Sequence, residues 1–441
     1  MAKKPLKIFH SGLEFEYFLI NEKGDLVFNA DKILKDAAKI DPKAQLAKEC
    51  SIGMVELNNY PKAEPHETIN EMLSGVKALM KAAEKNDSFL LPLSCYPGKN
   101  KTAMRTGNGY GIKEKIFGKQ KFKLAGKCAG FHFHFTLPKG MMDKEKLVLK
   151  RVINSKTKNS MMNAYNFLIA TDPVLLTVMA SSPYYELQQL AKDSRALVYR
   201  GGGNLKYRDG LYSKFPLFGA LPPYKQTLSD LRHSINRRNI IWKNIMQKHG
   251  MNPKKNWPYK SKLDIYWGPL RVNKHDTLEQ RGIDMNNLDN VMGMVTVLNY
   301  VLEEIQTNFL QVVPSDIGLE EPFKREGNVL YIPPHTHVRN RLQYRAAKFG
   351  FGSKSVKNYT KKFFSFAKGC IPERKMRIAR PVFDIVDNEK SLSDKILSYA
   401  RSKGHAPENG ITPEFAREIS IKAASDYLQS VGRTEKVLEK Y

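Results

Sequence analysis

The sequence predicts an α+β fold: strands that carry functional residues, packed against long helices and followed by a mainly helical C-terminal extension. Three observations point there. Strand-like alternation recurs at the N-terminus, in AGFHFHFTLP and in DTLEQRGIDM. Apolar residues at three- and four-residue spacing fill long stretches between those segments. Hydrophobic residues make up 41% and charged residues 26% of the 441, the composition of a chain that folds.

Residues 6–21 alternate as a strand, and LVFNA after an EKGD turn predicts an opening hairpin. Helical patterns cover 30–48, Thr68 to Glu84 and 142–180, with strands at MVELNNY, FLLPLSCY and GFHFHFTL between them. Thr227 followed three residues later by Asp230 predicts a capped helix running to His249, and Asn287 to Phe309 reads as a mostly apolar helix. Between these two, LDIYWGPLRVNKHDTLEQRGIDM has the β-branched and aromatic content of a hairpin with a KHD turn. One unit over 1–345 is expected, then a basic extension over 346–441 that opens with Gly and Ser and continues with helices from Ser391 and from Thr412.

Lys and Arg outnumber Asp and Glu by 72 to 44, a formal charge of +28, so the surface attracts anions such as nucleotides or nucleic acid. The excess is spread along the chain rather than gathered in one arm. A nucleic-acid-binding protein is the rival reading, supported by aromatics interleaved with Lys in KNYTKKFFSF. Cys50, Cys95, Cys128 and Cys370 have no metal or redox spacing and are expected as inert thiols in a reducing cytoplasm. Glu14 and Glu16 interrupt the N-terminal apolar stretch, and no run approaches the roughly 20 apolar residues of a span, so a cytoplasmic location with no membrane partner is expected.

The chemistry lies in residues at i and i+2 within strands: Glu14 with Glu16, His132 with His134, and Glu279 with Arg281. Same-face neighbours in a strand are about 7 Å apart, so each pair projects to one side while Phe15, Phe133 and Gln280 face the other. Glu56, between Val55 and Leu57, adds a fourth acidic position. Taken singly, each pair has an ordinary explanation as a solvated edge, a half-buried strand or a surface ion pair. Taken together, they make a carboxylate-lined face that needs a cation, and carboxylates with one histidine suit Mg²⁺ or Mn²⁺ bridging to nucleotide phosphates. Neither GFGSKS nor RGGGN has phosphate-loop spacing, and no nucleophile elbow is present.

GLEFEYFLI, VELNN, GFHFHF, SSPYY with VYR, FPLFGALPPY and RVNKHDTLEQRGIDM, in that order over residues 12–285, resemble glutamate-cysteine ligase family 2, the carboxylate-amine ligases, and more distantly the glutamine synthetase fold. The resemblance implies an antiparallel half-funnel with ATP and magnesium on its inner face, and makes 1–345 the catalytic domain. It implies that Glu14, Glu16, Glu56, His132 and Glu279 hold metal, that Arg281 and Arg200 hold phosphate or a substrate carboxylate, and that His134 sits behind the metal or faces phosphate. The implied reaction, a step of glutathione biosynthesis, is transfer of the γ-phosphoryl group of ATP to a carboxylate, led by glutamate, followed by attack of an amine, led by cysteine. Amino acids and ATP are then the partners, and relatives often form homo-oligomers. A non-catalytic relative that only binds nucleotide is a further alternative. Arg195, Ala196 and Val198 replace the small residues of the family before Arg200, and Leu217 stands where a basic residue is common, so other amines stay open. His335 and His337 with three arginines in PPHTHVRNRLQYR are read as a basic loop.

Overall fold

The structure is a computed structural model that describes residues 9–151, 155–406 and 409–441. Its centre is one antiparallel sheet, whose strands we number β1 Ser11–Ile20, β2 Gln45–Lys48, β3 Met54–Asn58, β4 Phe89–Leu91, β5 Gly130–Thr136, β6 Leu270–Asn273 and β7 Thr277–Asp284. The order is β6-β7-β5-β1-β3-β2, with β4 pairing the far end of β1. The helices used below are α1 Ala30–Ile40, α2 Pro65–Glu84, α3 Asn108–Phe117, α4 Lys156–Val178, α5 Ser194–Tyr199, α6 Leu228–Lys248, α7 Leu288–Thr307, α8 Lys354–Cys370, α9 Met376–Asp387, α10 Leu392–Ser402 and α11 Pro413–Leu438. The α+β class expected from the sequence is observed.

Strand periodicity separates the two faces of the sheet. Leu13, Phe15, Tyr17, Val55, Leu57, Phe131, Phe133, Phe135 and Leu278 all turn to one side and enter a single hydrophobic cluster with α2, α4 and α7. α4 and α7 are buried over most of their length, as their apolar character requires. α2 lies so close to the sheet that a Cβ at Gly75 would come within 2.6 Å of the Leu57 side chain. α8, α9 and α11 enter the same cluster through Phe363, Val382 and Tyr427, while α10 packs in a second cluster through Leu392, Ile396 and Leu397. The Tyr427 hydroxyl lies 2.5 Å from that of Tyr17 at the middle of β1.

Several element boundaries differ from expectation for identifiable reasons. The stretch 30–48 breaks at Asp41, and its second half pairs with β3 as β2. The opening hairpin reduces to a single bridge between Ile20 and Leu26, because α1 starts at Ala30. The helix expected from 142 starts at Lys156: Met142–Asp143 pairs with Val148–Leu149, and 152–154 lie outside the described residues. The caps are as expected. Thr227, Ser391 and Thr412 each accept a hydrogen bond from the third residue of the helix that follows. No helix among the described residues is long and apolar enough to cross a membrane.

Candidate active site

The strand register brings the acids and histidines together. Glu14 sits opposite His132 across β1 and β5, Glu16 opposite Glu56 across β1 and β3, and His134 opposite Glu279 across β5 and β7. All of these side chains leave the sheet on the face away from the large core. They form two neighbouring groups: ligand atoms of Glu14, His134 and Glu279 lie within 4.8 Å of one another, as do those of Glu16, Glu49 and Glu56. His132 stands between the groups, with Nδ1 2.7 Å from Glu14 and Nε2 3.4 Å from Glu16.

The first group is set by arginines. Glu279 is fully buried and accepts from Arg271 at 2.5 and 3.1 Å, and from Asn273 and Arg281. Burial alone would raise its pKa, but the fields of Arg271 and Arg281 hold it well below the ordinary range. Burial likewise opposes ionisation of Glu14, and the charge of His134 with hydrogen bonds from both histidines reverses this, so Glu14 is an ionised carboxylate. His134 is oriented through Nδ1 by the Thr277 hydroxyl at 2.9 Å. Burial would lower its pKa, and the charge of Glu14 raises it.

The second group has the opposite balance. Burial and the charge of Glu49 push the pKa values of Glu16 and Glu56 well above the ordinary range; the fields of Arg195 and Arg281 at Glu16 do not offset this. Glu16 accepts from the Gly130 amide at 2.6 Å, and Glu56 accepts from Asn58 at 2.7 Å. Between the groups, burial and then Arg281 lower the pKa of His132 to about 4, leaving a neutral imidazole. Its Nε2 is buried and makes no hydrogen bond among the described residues.

The donor set fits a divalent cation on two counts. Three carboxylates within contact distance of one another need a counter-ion, and a neutral, buried ring nitrogen without a partner is a free ligand position. The residues that would hold metal are Glu14, Glu16, Glu49, Glu56, His132 and Glu279, with His134 behind Glu14 at 3.1 Å. Glu49 was not among the sequence-derived candidates, because it follows a stretch that reads as helix.

Arg281 reaches this face, but Arg200, expected beside it, does not. The Arg200 guanidinium is buried, binds Asp172 of α4 at 2.8 and 2.9 Å, and donates to the Gly282 carbonyl at 3.2 Å. The reason is a β-bulge: Gln280 opposes Phe133 but Ile283 opposes Phe131, so β7 holds one extra residue. Arg200 grips that bulge at Gly282, where a Cβ would stand 2.2 Å from its nitrogen, and Arg195 donates to the Arg281 carbonyl at 3.0 Å. Both arginines hold the backbone that aims Arg281. The residue at the mouth that sequence reasoning missed is Arg271, whose only signal is its place opposite Glu279 across the KHD turn.

A sequence profile described as glutamate-cysteine ligase family 2 matches residues 10–302. Among solved structures, a bifunctional glutathione synthetase from Pasteurella multocida superposes with a TM-score of 0.59 at 11% identity, over 96% of this chain and 53% of the other. A glutamate-cysteine ligase from Francisella tularensis in complex with AMP superposes with a TM-score of 0.54 at 13% identity, over 98% and 92%. The chain therefore spans about half the length of the first of these (53%) and most of the second, and the likeness is one of fold. No curated protein sequence matches it.

Proposed function

This chain belongs to glutamate-cysteine ligase family 2, and on that premise we propose that it is an ATP-dependent, ADP-forming carboxylate-amine ligase with glutamate and cysteine as its leading substrates. The observation that carries the reading is the register that puts Glu14, Glu16, Glu56, Glu279 and both histidines on one face, with Arg271 and Arg281 at its edge. A carboxylate oxygen attacks the γ-phosphorus of ATP, ADP leaves, and the acyl phosphate loses phosphate when an amine attacks its carbonyl carbon. The reaction needs no protein nucleophile and consists of positioning and charge stabilisation.

Magnesium held by the two carboxylate groups would neutralise the phosphates and draw charge from the transferring oxygens. Arg281 and Arg271 present planar donors to the phosphoryl group or to the substrate carboxylate. His134, braced by Thr277, orients Glu14. Arg200 acts through the bulge as a positioning residue. In this reading 1–345 is the catalytic domain and 346–441 braces it, in a protein of the cytoplasm.

The test is release of ADP and phosphate by the purified chain with Mg-ATP and glutamate across a panel of amines headed by cysteine, with products identified by mass. Metal-dependent turnover with one amine, and a product of amide mass, is the expected outcome. Absence of turnover with every pair, together with tight RNA or DNA binding at physiological salt, would replace the ligase reading with the nucleic-acid one.

A further inference from the structure

We propose that Lys113 of α3 binds the terminal phosphate of the nucleotide, an assignment that rests on the ligase reading and deepens it. Lys113 is 1% exposed, and its Nζ makes no hydrogen bond among the described residues. Nζ stands over the Trp267 ring, 2.6 Å from its centroid, which supplies attraction but no compensating charge. The cations acting on it are Arg271 and Arg281, the same pair that grips Glu279. Asp264, a carboxylate acting on it, is paired with Lys274 at 3.1 Å.

Trp267 adjoins Tyr266, whose carbonyl accepts from Arg271 at 3.3 Å, so Lys113 stands beside the Arg271–Arg281 pair at the edge of the acidic groups. A buried ammonium without an anion is costly, and the arrangement becomes balanced when a ligand supplies the missing negative charge. A phosphate that Arg271 and Arg281 receive in the ligase reading supplies that charge. Burial, reinforced by the two arginines, lowers the pKa of Lys113 in the free protein, as expected of a group whose partner arrives with the ligand.

The covering segment has a means to open. α3 ends at Gly118 with φ of 86°, and a Cβ at Gly109, Gly111 or Gly118 would meet nothing within 4 Å. These glycines serve backbone freedom rather than packing.

The test compares Mg-ATP and AMP binding by calorimetry in the full-length wild type and in Lys113→Met, which keeps length and removes the charge. ATP affinity is expected to fall at least 10-fold while AMP affinity stays within 2-fold, and the free variant is expected to melt no lower than the wild type. ATP affinity within 2-fold of wild type, or an equal loss for AMP, overturns the assignment. If Lys113→Met does not fold, Lys113→Gln is judged by the same ratio. A wild type that binds no ATP overturns the ligase reading itself, whereas ATP binding that ignores Lys113 overturns this inference alone.

Discussion

The two carboxylate groups on the sheet share a face and differ in who neutralises them. Glu14 and Glu279 are matched by side chains of the protein, His134 and the Arg271–Arg281 pair, and remain ionised. Among the described residues Glu16, Glu49 and Glu56 have no such cationic pair, and Glu16 and Glu56 are pushed toward the protonated form. Identical residue types on one sheet face, Glu14 and Glu16 even on the same strand, thus arrive at opposite electrostatic states because of what the flanking strands supply. One group is balanced by the fold before a cation arrives, and the other depends on the cation for its balance.

The sharpest way to break this comparison is Glu279→Gln, which leaves the half-buried Arg271 and Arg281 without their buried carboxylate. ATP turnover should vanish, and the free protein should lose about 3–5 kcal/mol in urea unfolding. A sequence-level view would anticipate lost turnover with the fold untouched, and an unchanged urea midpoint would restore that view. Glu56→Gln should behave differently: it relieves repulsion, so stability should hold or rise, while the magnesium concentration for half-maximal turnover should increase roughly 10–100-fold, by analogy with lost metal-site contacts. Equal destabilisation by the two variants would erase the distinction between the groups.

The smallest effect is in the pH dependence of the metal-free protein. The depressed pKa values of Glu14 and Glu279 contribute stability that is present above the ordinary glutamate value of 4.5 and lost as pH falls below it. The raised values of Glu16 and Glu56 act in reverse: their contribution is lost as pH climbs above 4.5 through the raised values. Each unit of separation amounts to about 1.4 kcal/mol. Saturating magnesium should remove the decline on the alkaline side and leave the acid side as it is, which thermal melts across pH with and without the ion would show.

Much of this face was legible because strand periodicity is strict. Glu14 with Glu16, His132 with His134, and Glu279 with Arg281 all project as their i, i+2 spacing requires. What escaped depends on partners distant in sequence. Glu49 follows a four-residue strand hidden in a helix-like pattern, and Arg271 matters only through cross-strand pairing. Arg200 was drawn away by Asp172, a buried acid in the middle of an apolar helix that gives no local sign of needing a partner. Helices in the extension were expected from Ser391 and Thr412; those at 354–370 and 376–387 were not singled out, because Gly350, Gly352 and dense Lys mask the first and Pro381 interrupts the second.

The hydroxyl contact between Tyr17 and Tyr427 joins positions 410 residues apart. During synthesis the strand carrying Glu14 and Glu16 therefore emerges long before its last support, and a nascent chain spends most of its translation with that strand unbraced. That contact closes only once the final helix has left the ribosome, and closing so long a loop is slow. A chain truncated before residue 427 would carry every residue of the candidate site and still lack the brace that settles its central strand.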